Sequence, residues 1–432
     1  MKTLFYIILF FFTAYSNAQT SNKHLIKLST TYFDALKYPV KGGDTIFIEG
    51  GKRKYLQLKN IQGDSLNPII IINKGMVEIN NNDFYYGFKV HNCQHIRLTG
   101  TGNKEHSYGF TITQTGPKAP GLNITGITTD IEIDHFEISG AGFAGIMSKT
   151  DPTCDHSTNR ENFTQKNIQY HHNYIHDVGG EGFYVGNSFY QGFNKSKKCP
   201  GDTLFPHEIW NLKIYNNIVK NTAWEGIQIG CATKEAQVFN NKIYNYGLAN
   251  KPAQNNGMQI GEGTSGIFYN NYISQGNGNG IIILGLGQIL IYNNYISNCT
   301  ASGIFCDNRA DSPNHIVAVI NNTIDGFGMN GIRWFNENAR NIFSNNLIVN
   351  SSKEEKEYFL FHPKDLKQES LNNLTGKDHQ SLNIVVSPEG NVECLLKSEE
   401  TESNHHLIEL LNHFHITPHR KMGAYLKQIQ YF

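Results

Sequence analysis

The chain has 432 residues, with 37 Lys and Arg against 37 Asp and Glu, so its formal net charge is zero. That balance leaves no electrostatic footprint for nucleic acid, and this class of partner is set aside. Glycine is common, with 41 copies, which suits many tight turns better than long helices.

The first element is a targeting segment. Met1-Lys2 supplies positive charge, Leu4 to Ala14 is an apolar run, and Ser16-Asn17-Ala18 puts small residues where a signal peptidase reads. Residues 1–18 are therefore expected to be removed, leaving Gln19 first. The run is too short to span a bilayer comfortably, and no later stretch is long and apolar enough. The expectation is a secreted or periplasmic, monomeric protein with no membrane contact after cleavage.

Thr20 to Leu36 has weak helical periodicity and is expected to form an N-terminal cap. Gly43 to Ile48, Tyr55 to Leu58, Ile69 to Ile72 and Val77 to Ile79 follow as short β-type runs split by turn residues. One phrase then recurs, a glycine leading an apolar-x-apolar triplet, as in Gly226-Ile227-Gln228-Ile229. It begins at Gly87, Gly109, Gly121, Gly145, Gly182, Gly226, Gly257, Gly280, Gly303 and Gly331. Second strands of the same units lie at Ile96–Leu98, Ile131–Ile133, Ile168–Tyr170 and Leu212–Ile214.

A second phrase keeps step with the first. Paired asparagines end at Asn217, Asn241, Asn271, Asn294, Asn322 and Asn346, in steps of 24, 30, 23, 28 and 24 residues. Periods of this size mean stacked repeats. Leucine-rich repeats would show Leu at fixed inner positions, and propeller blades would need longer repeats with hairpin turns. Coils stacked strand upon strand, with asparagines hydrogen-bonded at one bend, fit both phrases. The predicted fold is all-β, a single-stranded parallel β-helix over 19–350, with irregular coils and a cap over 351–432. Within that tail, His405 to His415 reads as helical and Met422 to Tyr425 as strand-like.

The chain resembles the right-handed parallel β-helix group with pectate-lyase-like architecture, and is similar to secreted bacterial proteins built of generic β-helix repeats. The resemblance rests on the two phrases and covers about Gly43 to Asn350. It implies the right hand, also the default for parallel crossovers, and a substrate groove over the glycine-led strands. Members of the group include polysaccharide lyases, glycoside hydrolases, uronan epimerases and phage tailspikes, so a polysaccharide partner is expected. The repeat specifies fold and not activity. The Asn-Thr-Asp, Asp-Asp, Gly-His-Gly and Arg-Ile-Lys set of polygalacturonases is absent. The pectate-lyase phrase Trp-Ile-Asp-His is only echoed by Ile133-Asp134-His135, at the asparagine bend.

Strand alternation orders the groove. The first outward column reads Lys89, Thr111, Asn123, Met147, Tyr184, Gln228, Gln259, Ile282, Phe305 and Arg333. The next reads His91, Thr113, Thr125, Lys149, Gly186, Gly230, Gly261, Leu284, Asp307 and Phe335. Two long inserts, Thr150 to Gln165 and Asn187 to His207, rise beside its middle. Cys154 and Cys199, one in each, are the candidate disulfide.

A lyase or epimerase abstracting the C5 proton of a uronate needs a base, an acid and a cation. Lys149, Tyr184, Arg309 and Arg333 are the candidates, with Gln228, Gln259, His207, Asp307 and Trp224 binding substrate. A glycosidase would instead use Glu181 and Glu225, which hold the same repeat position on successive coils. By alternation Glu225 points inward, with a framework role as the competing reading. A non-catalytic glycan-binding or adhesin-like solenoid is the third reading. Asp151, Glu262 and Asp307 offer hard oxygen ligands for Ca²⁺, Asp151 first. The glycines before the strands are read as serving a bend with positive φ.

Overall fold

The computed structural model describes residues 21–194, 199–285, 287–308, 314–350, 356–371 and 373–377, and the backbone of two further strands at 384–386 and 392–394. The targeting segment and the expected tail elements at 405–415 and 422–425 lie outside the described residues, as does Arg309.

Every coil lays one strand on a 12-stranded parallel sheet and two on the remaining faces. Those two faces form one 23-stranded sheet because Ile69–Asn80 turns the corner, pairing first with Gln94–Thr99 and then with Phe110–Gln114. The cause lies in the alternation. In Ile227–Ile229 both isoleucines are fully buried in a continuous column of Ile, Val, Leu and Phe, which burial of apolar area holds together.

The asparagine bend is satisfied internally. Asn241 Nδ2 donates to Asn271 Oδ1 at 3.0 Å and to the Ile214 carbonyl at 2.9 Å, while Asn271 Oδ1 also accepts from the Asn241 backbone N–H at 3.1 Å. The same contacts repeat from Asn173 to Asn373. The preceding residue carries the turn itself: Asn216, Asn240, Asn270, Asn293, Asn321 and Asn345 all have φ of 54–56°. Asparagine tolerates this left-handed region better than most residues.

Four expectations are corrected. Thr20 to Leu36 forms no helix; Lys23–Ile26 pairs in parallel with the Thr45–Arg53 strand, and Tyr32–Asp34 opens the groove sheet. Pairing onto an open coil edge outweighs weak helical periodicity. Gly109 leads a strand of a different face, since Phe110–Gln114 pairs with Phe136–Ser139. Lys89 pairs directly with Asn123, so Thr111 and Thr113 drop out of the groove columns. The glycines at 182, 226, 257, 280, 303 and 331 do not have positive φ. Their reason is space: a Cβ on Gly226 would lie 2.4 Å from an Ile243 methyl and 2.6 Å from the Gly257 carbonyl oxygen. Finally, a regular coil continues past Asn350, with Phe359–Phe361 on the groove sheet and Gln368–Leu371 and Leu374–Gly376 on the other faces.

Candidate functional site

The groove column runs in register through Lys89, Asn123, Met147, Tyr184, Gln228, Gln259, Ile282, Phe305 and Arg333. Polar chemistry concentrates at Tyr184 and Gln228, where the inserts rise. Gly186, at φ 72°, starts the second insert, and a Cβ there would meet the Gly230 carbonyl oxygen. The turn delivers Ser188 back over the sheet. Its Oγ accepts from Gln228 Nε2 at 2.7 Å and shares a hydrogen bond with Tyr184 Oη at 3.1 Å. Ser188 was not foreseen, since nothing in the spacing fixes where an insert returns.

Lys149 lies beside Tyr184, its Nζ 4.9 Å from the ring centroid and 3.0 Å from Asp151 Oδ1. Burial works against its charge, but Tyr184, Asp151 and Glu181 outweigh that and hold its pKa above the usual lysine value. Lys149 is therefore a cation and not a base. On the other flank Phe143 packs edge-on against Trp224, and Lys251 lies 3.6 Å over the Trp224 ring. Phe143 and Lys251 sit in turns and carry no periodic signal.

Beneath the groove, Glu181 and Glu225 occupy successive coils, joined by the Gly182 N–H donating to the Glu225 carbonyl at 3.0 Å. Their exposures are 1% and 0%. Glu225 Oε1 accepts from Asn256 Nδ2 at 3.3 Å. The Oε2 atom of each has no hydrogen-bond partner among the described residues. Burial drives Glu181 up to about 7, against Lys251 and Lys149. Burial and then Glu181 drive Glu225 up to about 8. Burial of two carboxyls on successive coils, each disfavouring the other's charge, is what raises both proton affinities.

The remaining candidates are placed as follows. His207 is fully buried; its Nε2 accepts from the Thr150 N–H and its Nδ1 donates to the Glu208 carbonyl, and burial pushes its pKa down to about 4. It pins the first insert from below as a neutral ring. Gln259 stacks on Gln228 and is buried. Arg333 is five coils from Tyr184 along the column, roughly 24 Å at the parallel-strand spacing, and packs against Phe305 and Phe335 at 4.9 and 4.7 Å. Asp307 follows the Phe305 strand, four coils away, and accepts from the Asn308 N–H. The structure thus gathers Lys149, Tyr184, Gln228 and Trp224 and leaves Asp307 and Arg333 apart.

Cys154 and Cys199 are joined, with their Cα atoms 5.5 Å apart. His156 reaches Asp202 at 2.6 Å, and the Arg160 guanidinium lies 3.8 Å over the Tyr190 ring. The two inserts are therefore fastened into one wall. Asp151 is paired with Lys149, while Glu262 and Asp307 sit on later coils, so the three do not converge on one ion. Among the described residues the close set of ligating groups is Glu132, Asp134 and His171, on another face. Arg97 already bridges its two carboxylates at 3.1 and 3.2 Å.

Comparison with known proteins agrees with this architecture. A family model described as a right handed beta helix region matches residues 207–359. A comparison with curated proteins gives no match. Among solved structures, a GH136 lacto-N-biosidase from Eubacterium ramulus overlays with a TM-score of 0.53 at 12% identity, covering 82% of this chain and 68% of its own. The mannuronan C-5 epimerase A-module of Azotobacter vinelandii gives 0.45 at 14% identity, covering 77% and 87%. Pectate lyase Pel9A gives 0.47 at 11%, covering 74% and 78%. The chain is a right-handed parallel β-helix, a fold it shares with that lacto-N-biosidase. Among the described residues no helix is long and apolar enough to cross a membrane.

Proposed function

We propose that this right-handed parallel β-helix is an exported polysaccharide lyase or epimerase that moves the C5 proton of a uronate residue at Tyr184. One observation carries the reading. Tyr184 stands on the groove face with its hydroxyl on Ser188 and a lysine cation against its ring. In the proposed reaction Lys149 neutralises the uronate carboxylate, which stabilises negative charge developing at C5. Tyr184, as phenolate, takes the C5 proton. In lysis the C4–O4 bond then breaks, the electron pair forms the C4–C5 double bond, and the same phenol returns the proton to O4. In epimerisation a water molecule on the opposite face gives its proton to C5, and the hydroxide left behind takes up the proton that Tyr184 removed. No oxidant or reductant is needed. Trp224 offers the sugar a stacking face, while Gln228, itself buried, fixes Ser188 against Tyr184. The export rests on the targeting segment and the inter-insert disulfide.

The carboxyl pair is the weaker alternative as chemistry. A glycosidase acid must touch the glycosidic oxygen, and its partner must be ionised. Glu181 and Glu225 are buried, and both bind protons near neutrality. We assign them to supporting the site from below.

The test is a uronan panel followed by ultraviolet absorbance of the unsaturated product, with proton exchange at C5 read by NMR for epimerisation. Tyr184→Phe is expected to lower kcat about 10²–10⁴-fold, and Lys149→Met about 10²–10³-fold with partial recovery in Lys149→Arg. New reducing ends without absorbance would move the reading to Glu181 and Glu225. Retention on glycan without turnover would make the chain a binding module.

A further inference from the structure

Three coils before Tyr184 the groove column reaches Lys89, through Met147 and Asn123, and then Gln57. Its character changes there. Tyr55 and Phe84 stack at 4.2 Å, Tyr86 meets both edge-on, and the Tyr86 hydroxyl donates to Gln57 Oε1 at 2.8 Å. Lys89 Nζ lies 5.4 Å over the Tyr86 ring. In the neighbouring column Lys59 pairs in register with His91, whose Nδ1 meets Thr125 Oγ1 at 2.9 Å.

Three basic side chains therefore meet at half-buried positions. Among the described residues neither Lys59 nor Lys89 forms an ion pair. The acid in register with Lys59 is Asp34, and its oxygens are already taken by Asn60 Nδ2, the Leu36 N–H and the Tyr32 hydroxyl. Burial and then Lys59 depress the Lys89 pKa, and burial, Lys89 and Lys59 depress that of His91. Lys59 has the Asp34 carboxylate as a counter-charge, but Lys89 and His91 are disfavoured by burial and by the like charge of their neighbours, a cost that an incoming anion removes.

We infer that Lys59, Lys89 and His91, beside the Tyr55–Phe84–Tyr86 cluster, form a second subsite that reads anionic groups, carboxylate or sulfate, on a sugar chain several residues from the one held at Tyr184. The subsite rests on the reading of the groove as a glycan site. It does not rest on the reaction assigned to Tyr184.

The experiment uses the full exported chain carrying Tyr184→Phe, so that no probe is consumed. Polygalacturonate, dextran sulfate and neutral dextran are titrated by calorimetry and affinity electrophoresis, at low and high salt. The polyanions bind and dextran does not. Lys59→Ala with Lys89→Ala weakens polyanion binding about tenfold or more and flattens its salt dependence. Polygalacturonate alone responding identifies the carboxylate; dextran sulfate alone identifies the sulfate. Lys59→Gln with Lys89→Gln replaces the alanine pair should the latter fail to fold. Equal binding by parent and lysine variant, or equal binding of dextran and the polyanions, overturns the subsite. If these arms behave as stated while the wild type yields neither unsaturated product nor C5 exchange, the assigned reaction fails and the subsite stands.

Discussion

Asn271→Ala is expected to cost about 3–5 kcal/mol of stability, because one amide makes four hydrogen bonds to three neighbours in a place water does not reach. Asn271 Nδ2 donates to the Val238 carbonyl at 2.9 Å and to Asn294 Oδ1 at 3.0 Å. Its Oδ1 accepts from the Asn241 N–H and from Asn241 Nδ2. Alanine removes both ends and strands buried groups on the coils before and after. The adjacent Asn270 is the control. It holds φ 55° and its Oδ1 receives Asn293 Nδ2, so Asn270→Gly keeps the backbone region and is expected to cost about 1 kcal/mol or less. Asn373, at the last of these contacts among the described residues, should cost less than Asn271, since it is only partly buried and water can replace some of what alanine removes. Thermal unfolding of the three variants ranks them. Equal losses for Asn271→Ala and Asn270→Gly would mean that the turn, and not the amide ladder, holds the bend.

The same amides explain why the fold was legible. Two phrases with different periods of chemistry, Gly-led triplets and paired asparagines, had to stay in step, and only stacked coils keep them so. The pairing of Gln228 with Gln259, or of Met147 with Tyr184, followed from that stacking alone. The mistakes share a cause as well. The triplet at Gly109 looks like the others but lies on another face, because alternation describes a strand and says nothing of which sheet receives it. Tyr184 and Lys149 were read from the groove columns. Arg333 was grouped with them because a column lists residues without the distance between its ends. Ser188, Lys251 and Phe143 sit in turns and an insert, where no period operates, and only the folded chain brings them to Tyr184 and Trp224.

Glu225→Gln should stabilise the protein at alkaline pH and leave it nearly unchanged at pH 5. The sign follows from proton binding. An unfolded glutamate titrates near 4.5, whereas burial and Glu181 raise Glu225 to about 8, and burial raises Glu181 to about 7. Between 4.5 and 8 the folded chain holds more protons than the unfolded one, so stability falls as pH rises through that window and levels off above it. The fall is on the order of a few kcal/mol, since the pair is coupled and its two shifts do not simply add. Glutamine keeps the shape and stays neutral. Its Oε1 can still accept from Asn256. Unfolding followed from pH 5 to pH 9 should therefore give a sloping wild type and a flatter variant, crossing to the variant's advantage above about pH 7. If Glu225→Gln is instead destabilised at every pH, the pair is ionised in the folded protein. Lys149 and Lys251 would then dominate over burial, and an ionised carboxylate beneath Tyr184 would return the glycosidase reading to first place.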